Sequence, residues 1–234
     1  MDGAGCRAVI LDMDGLMLDT EPLYKRAWQR AVRELGYELA DETFHTFSGR
    51  TDTDSERALF QELGDRFPLE RFQALWRDLW HREARASGIP TKPGIPRLLS
   101  ALGERRVPVA VATSSPARRT ELALRAASLA HHFSVVVTCE DVARAKPAPD
   151  IFLEAARRLR LPASVCVVLE DSDVGARAAV AAGMRVIVIP DLKAPAPDVR
   201  EIAAAVHRSA DEALTTLLEL LAAAHAAERG PSGS

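Results

Sequence analysis

Cysteine is scarce. The 234-residue chain carries three thiols, Cys6, Cys139 and Cys166, odd in number, widely spaced and without a C-x-x-C pair. That excludes a disulfide scaffold and gives no sign of a zinc knuckle or a redox couple. Cys139 and Cys166 lie in or beside apolar runs and read as buried reduced thiols. Excess charge is lacking too: 30 Lys and Arg stand against 33 Asp and Glu, a net charge of −3. Nothing therefore advertises a nucleic acid or a membrane surface as partner. No apolar run approaches the roughly 18–20 residues of a membrane span, and none before Asp12 is long enough for a signal peptide. The expectation is a soluble, cytoplasmic, monomeric protein. Several motifs are missing as well. No G-x-x-x-x-G-K-[ST] loop occurs, Gly3 and Gly5 precede the first apolar run where a dinucleotide fingerprint would follow it, and the six histidines form no H-E-x-x-H.

What the chain does have is apolar mass. At 47% hydrophobic residues, it suits one domain carrying a large insertion and should bury roughly 70% of its unfolded surface. Short Val- and Ile-rich runs stand at residues 8–11, 107–112, 135–137, 165–169 and 186–189. They are continuous where a one-sided strand would alternate, the pattern of strands covered on both faces. Helix-sized segments separate the later runs at 116–128, 150–161 and 173–182, and a final helix is expected over 211–227. Repeated strand-then-helix order predicts an α/β fold with a doubly wound parallel sheet.

About 95 residues between the first run and the second interrupt that rhythm with helix periodicity instead. Leu23, Ala27, Trp28, Ala31, Val32 and Leu35 form one stripe; Ala58, Leu59 and Leu63 form a second; Leu69, Phe72, Leu75, Leu79 and Trp80 form a third. All three tryptophans, Trp28, Trp76 and Trp80, fall here and can supply a small separate core. The expected division is a core of 1–18 and 92–234 with a helical insertion of 19–91. Two connections, near 16–19 and 88–96, join them, as a hinged lid would need. The tail 230–234 reads as disordered.

The strongest chemical signal is Asp12-Met13-Asp14-Gly15, directly after the first run. Two acids two residues apart project to one side of an extended chain. At the carboxyl end of a buried strand they enter the crevice where open α/β sheets bind ligands. There they can chelate a hard cation such as Mg²⁺ or divide the work of nucleophile and proton donor. Thr113-Ser114-Ser115-Pro116 follows the second run and could cradle a phosphate at a helix N-terminus. Glu170-Asp171 follows the fourth run, and Lys146 sits among prolines just before a helix. Each of these alone also fits an ordinary helix cap or surface residue. Their coincidence at separate strand ends is the argument.

Those motifs together resemble the haloacid dehalogenase-like hydrolase superfamily, in its branch of sugar-phosphate phosphatases and β-phosphoglucomutase-like proteins with a helical cap after the first strand. The similarity spans about residues 7–191 and rests on Asp12-Met13-Asp14-Gly15-Leu16-Met17-Leu18-Asp19-Thr20-Glu21, Ala112-Thr113-Ser114-Ser115, Lys146-Pro147-Ala148-Pro149-Asp150 and Leu169-Glu170-Asp171-Ser172. The resemblance implies a Rossmann-like core with the first strand central. It implies Asp12 as nucleophile forming an aspartyl-phosphate and Asp14 as general acid. Thr113, the N–H of Ser114 and Lys146 would bind the phosphoryl group. Mg²⁺ would be held by Asp12, the carbonyl of Asp14 and Asp171, with Glu170 near or in the shell. The partner implied is a small phosphorylated metabolite, read through the cap loop by Gly49 and Arg50.

Asp14 argues for phosphoryl transfer, because dehalogenases of the superfamily typically lack an acid there. Mutases of the β-phosphoglucomutase type carry a cap His where this chain has Tyr24 and a cap Arg near Asp52, so water is favoured as the final acceptor. A phosphate-accepting receiver domain is a rival of another class, but it would be about half this length and carry no helical insertion.

Overall fold

The computed structural model describes residues 5–47 and 51–229. The chain divides into two compact units, Met1–Leu18 with Pro90–Ser234, and Asp19–Ile89.

In the first unit, strands β1 (Ala8–Leu11), β2 (Val109–Ala112), β3 (Val135–Val137), β4 (Cys166–Glu170), β5 (Arg185–Val188) and β6 (Ala205–Val206) form one sheet in the order β3-β2-β1-β4-β5-β6. Every pairing is parallel. The second unit holds helices α1 (Glu21–Glu34), α2 (Asp41–His45), α3 (Asp52–Leu63) and α4 (Leu69–Ser87). The first unit adds α5 (Ile95–Glu104), α6 (Ala117–Ala126), α7 (Asp150–Leu159), α8 (Asp173–Ala181), α9 (Pro197–Ile202) and α10 (Ala210–Arg229). The doubly wound α/β class is as the apolar runs require, with β1 central.

The continuous runs are explained by burial on both faces. Ala8, Ile10, Ala110, Ala112, Cys166, Val168, Val186 and Val188 pack with Ile151, Phe152, Ala155 and Ala156 of α7 and Ala176, Ala178 and Ala179 of α8 in one layer. Val9, Leu11, Val111, Val167, Leu169 and Ile187 alternate with them and are equally buried. Apolar residues of α5 (Ile95, Leu98, Leu99, Leu102) and α10 (Ala213, Leu214, Leu217, Leu221) are buried outside the first layer. Four elements escaped the periodicity. Helix α2 is a five-residue turn of helix between two of the apolar stripes. Strand β6 is two partly exposed residues with no apolar run. Helix α5 begins with Ile95 and Pro96 at the end of the stretch that reads as a Pro- and Gly-rich connection and continues where no element was expected. Helix α9 is only six residues long. Strand β2 starts two residues later than its run because Pro108 has no N–H for the ladder, although its carbonyl accepts from Val9 N at 3.0 Å.

The second unit builds its own core from aromatics. Trp28 of α1 lies 5.0 Å from Phe72 and 5.7 Å from Trp76, ring centre to ring centre, and 5.8 Å from Phe47. Phe72, Trp76 and Trp80 of α4 are completely buried; truncating any one would cost about 3–5 kcal/mol. Beneath them Glu56 of α3, also buried, accepts hydrogen bonds from Gln73 (2.6 Å), Trp76 Nε1 (3.0 Å) and Arg77 (2.8 Å). The cap loop residues Gly49 and Arg50, and the tail 230–234, lie outside the described residues.

Candidate active site

The chain leaves β1 for β2 and β3 on one side, then returns to β4, β5 and β6 on the other. Strands β1 and β4 therefore flank the point where strand order reverses, and open parallel sheets take ligands at the carboxyl ends there. Register does the positioning. Leu11 pairs with Leu169 and with Val111, so Asp12 emerges level with Glu170 on one neighbour and Ala112 on the other. Asp12 N donates to Leu169 O at 3.1 Å, which ties the first acid to the β4 backbone.

Lys146 arrives from the segment before α7 and ends between these strands. Its Nζ donates to Asp12 Oδ1 at 2.5 Å, Glu170 Oε1 at 2.5 Å and the Ala112 carbonyl at 3.2 Å. It also lies 5.0 Å above the Phe152 ring. Burial works against the ammonium, but the carboxylates of Asp12 and Glu170 outweigh it and hold its pKa above the ordinary lysine value. Asp12 is itself buried. Desolvation pushes its carboxyl up to about 7, with Lys146 pulling down and Glu170 and Asp14 pushing up. Asp171 is raised well above the ordinary carboxylate value by burial first, then by Glu170 and Asp12.

Thr113 is buried at the end of β2, and its hydroxyl accepts the N–H of Ser115 at 3.1 Å. The hydroxyl proton of Thr113 is therefore left to point at an anion. Ser114 is exposed beside it. Asp14 has one oxygen, Oδ2, held by the Ser115 hydroxyl at 2.7 Å. Gly15 follows with φ +85°, and the carboxylate of Asp171 packs on its Cα so closely that a Cβ would stand 2.3 Å from Oδ2. The main chain of Asp14-Gly15 and the Asp171 side chain thus meet at one place.

The structure gives Glu170 other work than the metal shell expected of it. Oε1 accepts from Lys146; Oε2 accepts from Asp171 N (3.1 Å), Ser172 N (3.1 Å) and Ser172 Oγ (2.9 Å). Three donors saturate Oε2 and Lys146 engages Oε1, so Glu170 is committed chiefly to holding Lys146 and the loop into α8. Among the described residues no three His, Cys, Asp or Glu side chains form a ready cation cluster. A smaller donor set could hold a hard cation such as Mg²⁺: the carboxylates of Asp12 and Asp171 with the Asp14 carbonyl. Crowded acids with one ammonium among them are the electrostatic setting for such an ion.

Several participants were not assigned roles from sequence. Ser115 stood in a quoted motif without one. Arg119, one helical turn later, donates to Ser115 Oγ at 3.1 Å. Gly175, three residues after Ser172 and therefore in the first turn of α8, abuts Glu170. Lys92 and Asp191 form an ion pair at 2.6 Å, and a Cβ added at Gly15 would stand 3.4 Å from Asp191 Oδ2. The i+4 spacing of Arg119 and a glycine just inside a helix were the available signals.

The fold is of the doubly wound α/β class, with acids and a lysine gathered at the carboxyl ends of β1 and β4. Residues 6–183 match the family described as haloacid dehalogenase-like hydrolase, and the chain belongs to that family. It is 32% identical over 180 residues to a phosphorylated carbohydrates phosphatase of Thermotoga maritima, covering 76% of this chain and 82% of that one. It is 33% identical over 181 residues to the fructose-1-phosphate phosphatase YqaB of Escherichia coli, covering 75% and 92%. A solved structure of a putative β-phosphoglucomutase from T. maritima superposes with a TM-score of 0.79 at 30% identity, over 91% of this chain and 99% of that one. Family membership and the inserted helices leave the receiver-domain reading without support.

Proposed function

We propose that this chain is a Mg²⁺-dependent phosphatase that hydrolyses a small phosphorylated metabolite, a sugar phosphate or similar, through an aspartyl-phosphate on Asp12. One observation carries the reading: Lys146 Nζ is clasped between Asp12 and Glu170 where β1 and β4 end, beside Thr113. A buried carboxylate with an ammonium in contact and hydroxyl and amide donors beside it is arranged to attack phosphorus while the phosphoryl charge is neutralised.

In the first half-reaction an oxygen of Asp12 forms a bond to phosphorus as the ester P–O bond breaks. Asp14 gives its proton to the departing alkoxide. Thr113, the Ser114 N–H and Lys146 hold the phosphoryl oxygens. In the second half Asp14, now a carboxylate, takes a proton from water as that water attacks the aspartyl-phosphate and frees Asp12. Mg²⁺, held by Asp12, Asp171 and the Asp14 carbonyl, would supply Lewis-acid neutralisation of phosphoryl charge. Phosphate-monoester hydrolysis can require acceleration near ~10²¹-fold, or roughly 28 kcal/mol, while one general acid supplies about 10²–10⁴-fold. Positioning and cations must supply the rest.

The mutase reading is kept as the alternative because the putative β-phosphoglucomutase of T. maritima superposes so fully. Tyr24 and Asp52 stand where mutases carry their cap His and Arg. The test is a panel of phosphorylated metabolites assayed with Mg²⁺, including β-glucose 1-phosphate with its bisphosphate activator. Phosphate release that disappears in Asp12→Asn, with the unfolding midpoint retained, is expected. Turnover persisting in that variant refutes the nucleophile, and isomer formation without released phosphate replaces phosphatase by mutase.

A further inference from the structure

Arg119, in the first turn of α6, is only 8% exposed, and its Nη2 donates to Ser115 Oγ at 3.1 Å. Ser115, 4% exposed, in turn lies 2.7 Å from Asp14 Oδ2. Directions in this chain of bonds are not free. Guanidinium groups only donate, so Ser115 Oγ must accept from Arg119. Its one proton then goes to Asp14, and no second acceptor for that proton stands among the described residues. The Ser115 backbone is pinned as well. Its N–H goes to Thr113 Oγ1 at 3.1 Å, and its carbonyl accepts from Cys139 N at 3.4 Å and Thr120 Oγ1 at 3.5 Å. The other carboxyl oxygen, Asp14 Oδ1, is buried and accepts no hydrogen bond among the described residues.

We infer that Ser115 and Arg119 are positioning residues which hold Asp14 in one rotamer and keep its acidic proton on Oδ1, the oxygen left without a hydrogen-bond partner. This rests on the reading of Asp14 as general acid. A proton on Oδ2 would confront the Ser115 proton across a 2.7 Å contact; Arg119 prevents the hydroxyl from turning to relieve that conflict. The neutral acid therefore has one favoured form. As the Asp12 oxygen bonds to phosphorus, the ester P–O bond breaks and its electron pair stays on the ester oxygen. That oxygen receives the Oδ1 proton, and Asp14 is left as the carboxylate with Oδ2 still anchored. The relay thus does for a carboxylic acid what a carboxylate does for a catalytic imidazole: it chooses the atom that carries the proton.

The test reads leaving-group dependence, which a packing role would not change. 4-Nitrophenolate departs readily without protonation, whereas phenolate is more basic and needs it. The measurement is the ratio of kcat/KM for phenyl phosphate to that for 4-nitrophenyl phosphate. A general acid supplies about 10²–10⁴-fold, so losing its aim should lower this ratio about tenfold in Ser115→Ala and in Arg119→Met. Arg119→Lys, which keeps a cationic donor, should recover most of the ratio lost in Arg119→Met. In an Asp14→Asn background Ser115→Ala should change the ratio no further. Equal slowing of both substrates, or an unchanged ratio, overturns the relay. The underlying reading fails separately, and visibly, if Asp12→Asn still turns over 4-nitrophenyl phosphate.

Discussion

Gly175→Ala should destabilise this protein and slow it, against the ordinary rule for helices. In an unencumbered helix the change stabilises by about 0.5–1 kcal/mol, because glycine loses more backbone freedom on folding. Gly175 is the third residue of α8, and its N–H caps onto Ser172 Oγ at 3.1 Å. A Cβ there would stand 1.8 Å from Glu170 Oε1, 2.0 Å from Cδ and 2.5 Å from Oε2. Glu170 is the flexible partner, but it is fully buried and held by Lys146 Nζ and three donors from Asp171 and Ser172. Moving it aside forfeits about two of these bonds, at roughly 1.5–3 kcal/mol each for a charged group. Set against the helix gain, the net loss is about 2–5.5 kcal/mol, a fall in Tm of roughly 4–22 °C for a chain of this size.

The activity should fall for a connected reason. Displacing Glu170 releases one side of Lys146, and a shift of about 1 Å in a positioned group can cost on the order of 10²-fold. Thermal unfolding and kcat on 4-nitrophenyl phosphate read the two effects. Gly103→Ala is the internal control: it sits near the end of α5, where an added Cβ meets nothing within 4 Å, so its Tm should rise. A Gly175→Ala variant with raised Tm and full kcat would refute the packing of Glu170 against α8 and the role given to it.

Other perturbations have signs fixed by the same geometry. Lys146→Met leaves Asp12 and Glu170 facing each other without the ammonium between them; kcat should fall by about 10²–10³-fold or more in steady-state assays. In the helical unit, Glu56→Leu strips the partners from Trp76 Nε1, Gln73 and Arg77, and unfolding followed by tryptophan fluorescence should show a loss of about 2–4 kcal/mol. Glu154 is held down to about 2 by hydrogen bonds from Arg157 and Arg158, from an ordinary value of 4.5. A depressed carboxyl contributes stability above its unfolded pKa and loses it as pH falls, here between about 4.5 and 2. Glu154→Gln should flatten the acid-unfolding curve in that window.

Much of this architecture was legible because buried parallel strands write themselves as unbroken Val and Ile runs, and because the acids follow those runs immediately. Asp12, Thr113 and Glu170-Asp171 could be placed at one sheet edge from that alone. What could not be read was how neighbouring acids divide their labour. Glu170 and Asp171 look equivalent as letters, yet Glu170 is the last residue of β4 and turns into the protein, where main-chain donors consume it; Asp171, one residue on, turns toward Gly15. Hydrogen-bond allocation of this kind depends on the loop into α8 and on a missing Cβ at Gly175, neither of which leaves a periodic trace. Arg119 was hidden for a similar reason: on a helix rich in arginine, only the fold distinguishes the buried one from its exposed neighbour Arg118.

The charge balance of the site has a consequence for stability. Asp12, Asp171 and Glu170 converge with Lys146 as the ammonium among them, and burial together with their mutual repulsion raises the carboxyls of Asp12 and Asp171. Folding therefore holds these acids in an unfavourable state that a divalent ion relieves, and an ion binding only the folded form stabilises it by RT ln(1 + [L]/Kd), about 2.7 kcal/mol at a hundredfold excess over Kd. Tm should rise with added Mg²⁺ and return on chelation. Asp171→Asn separates the two halves of the argument: removing one buried charge should raise the metal-free Tm while abolishing most of the Mg²⁺-dependent increase. A variant that is less stable without metal would show that Asp171 is not a source of the repulsion, and one that retains the full Mg²⁺ response would show that it does not hold the ion.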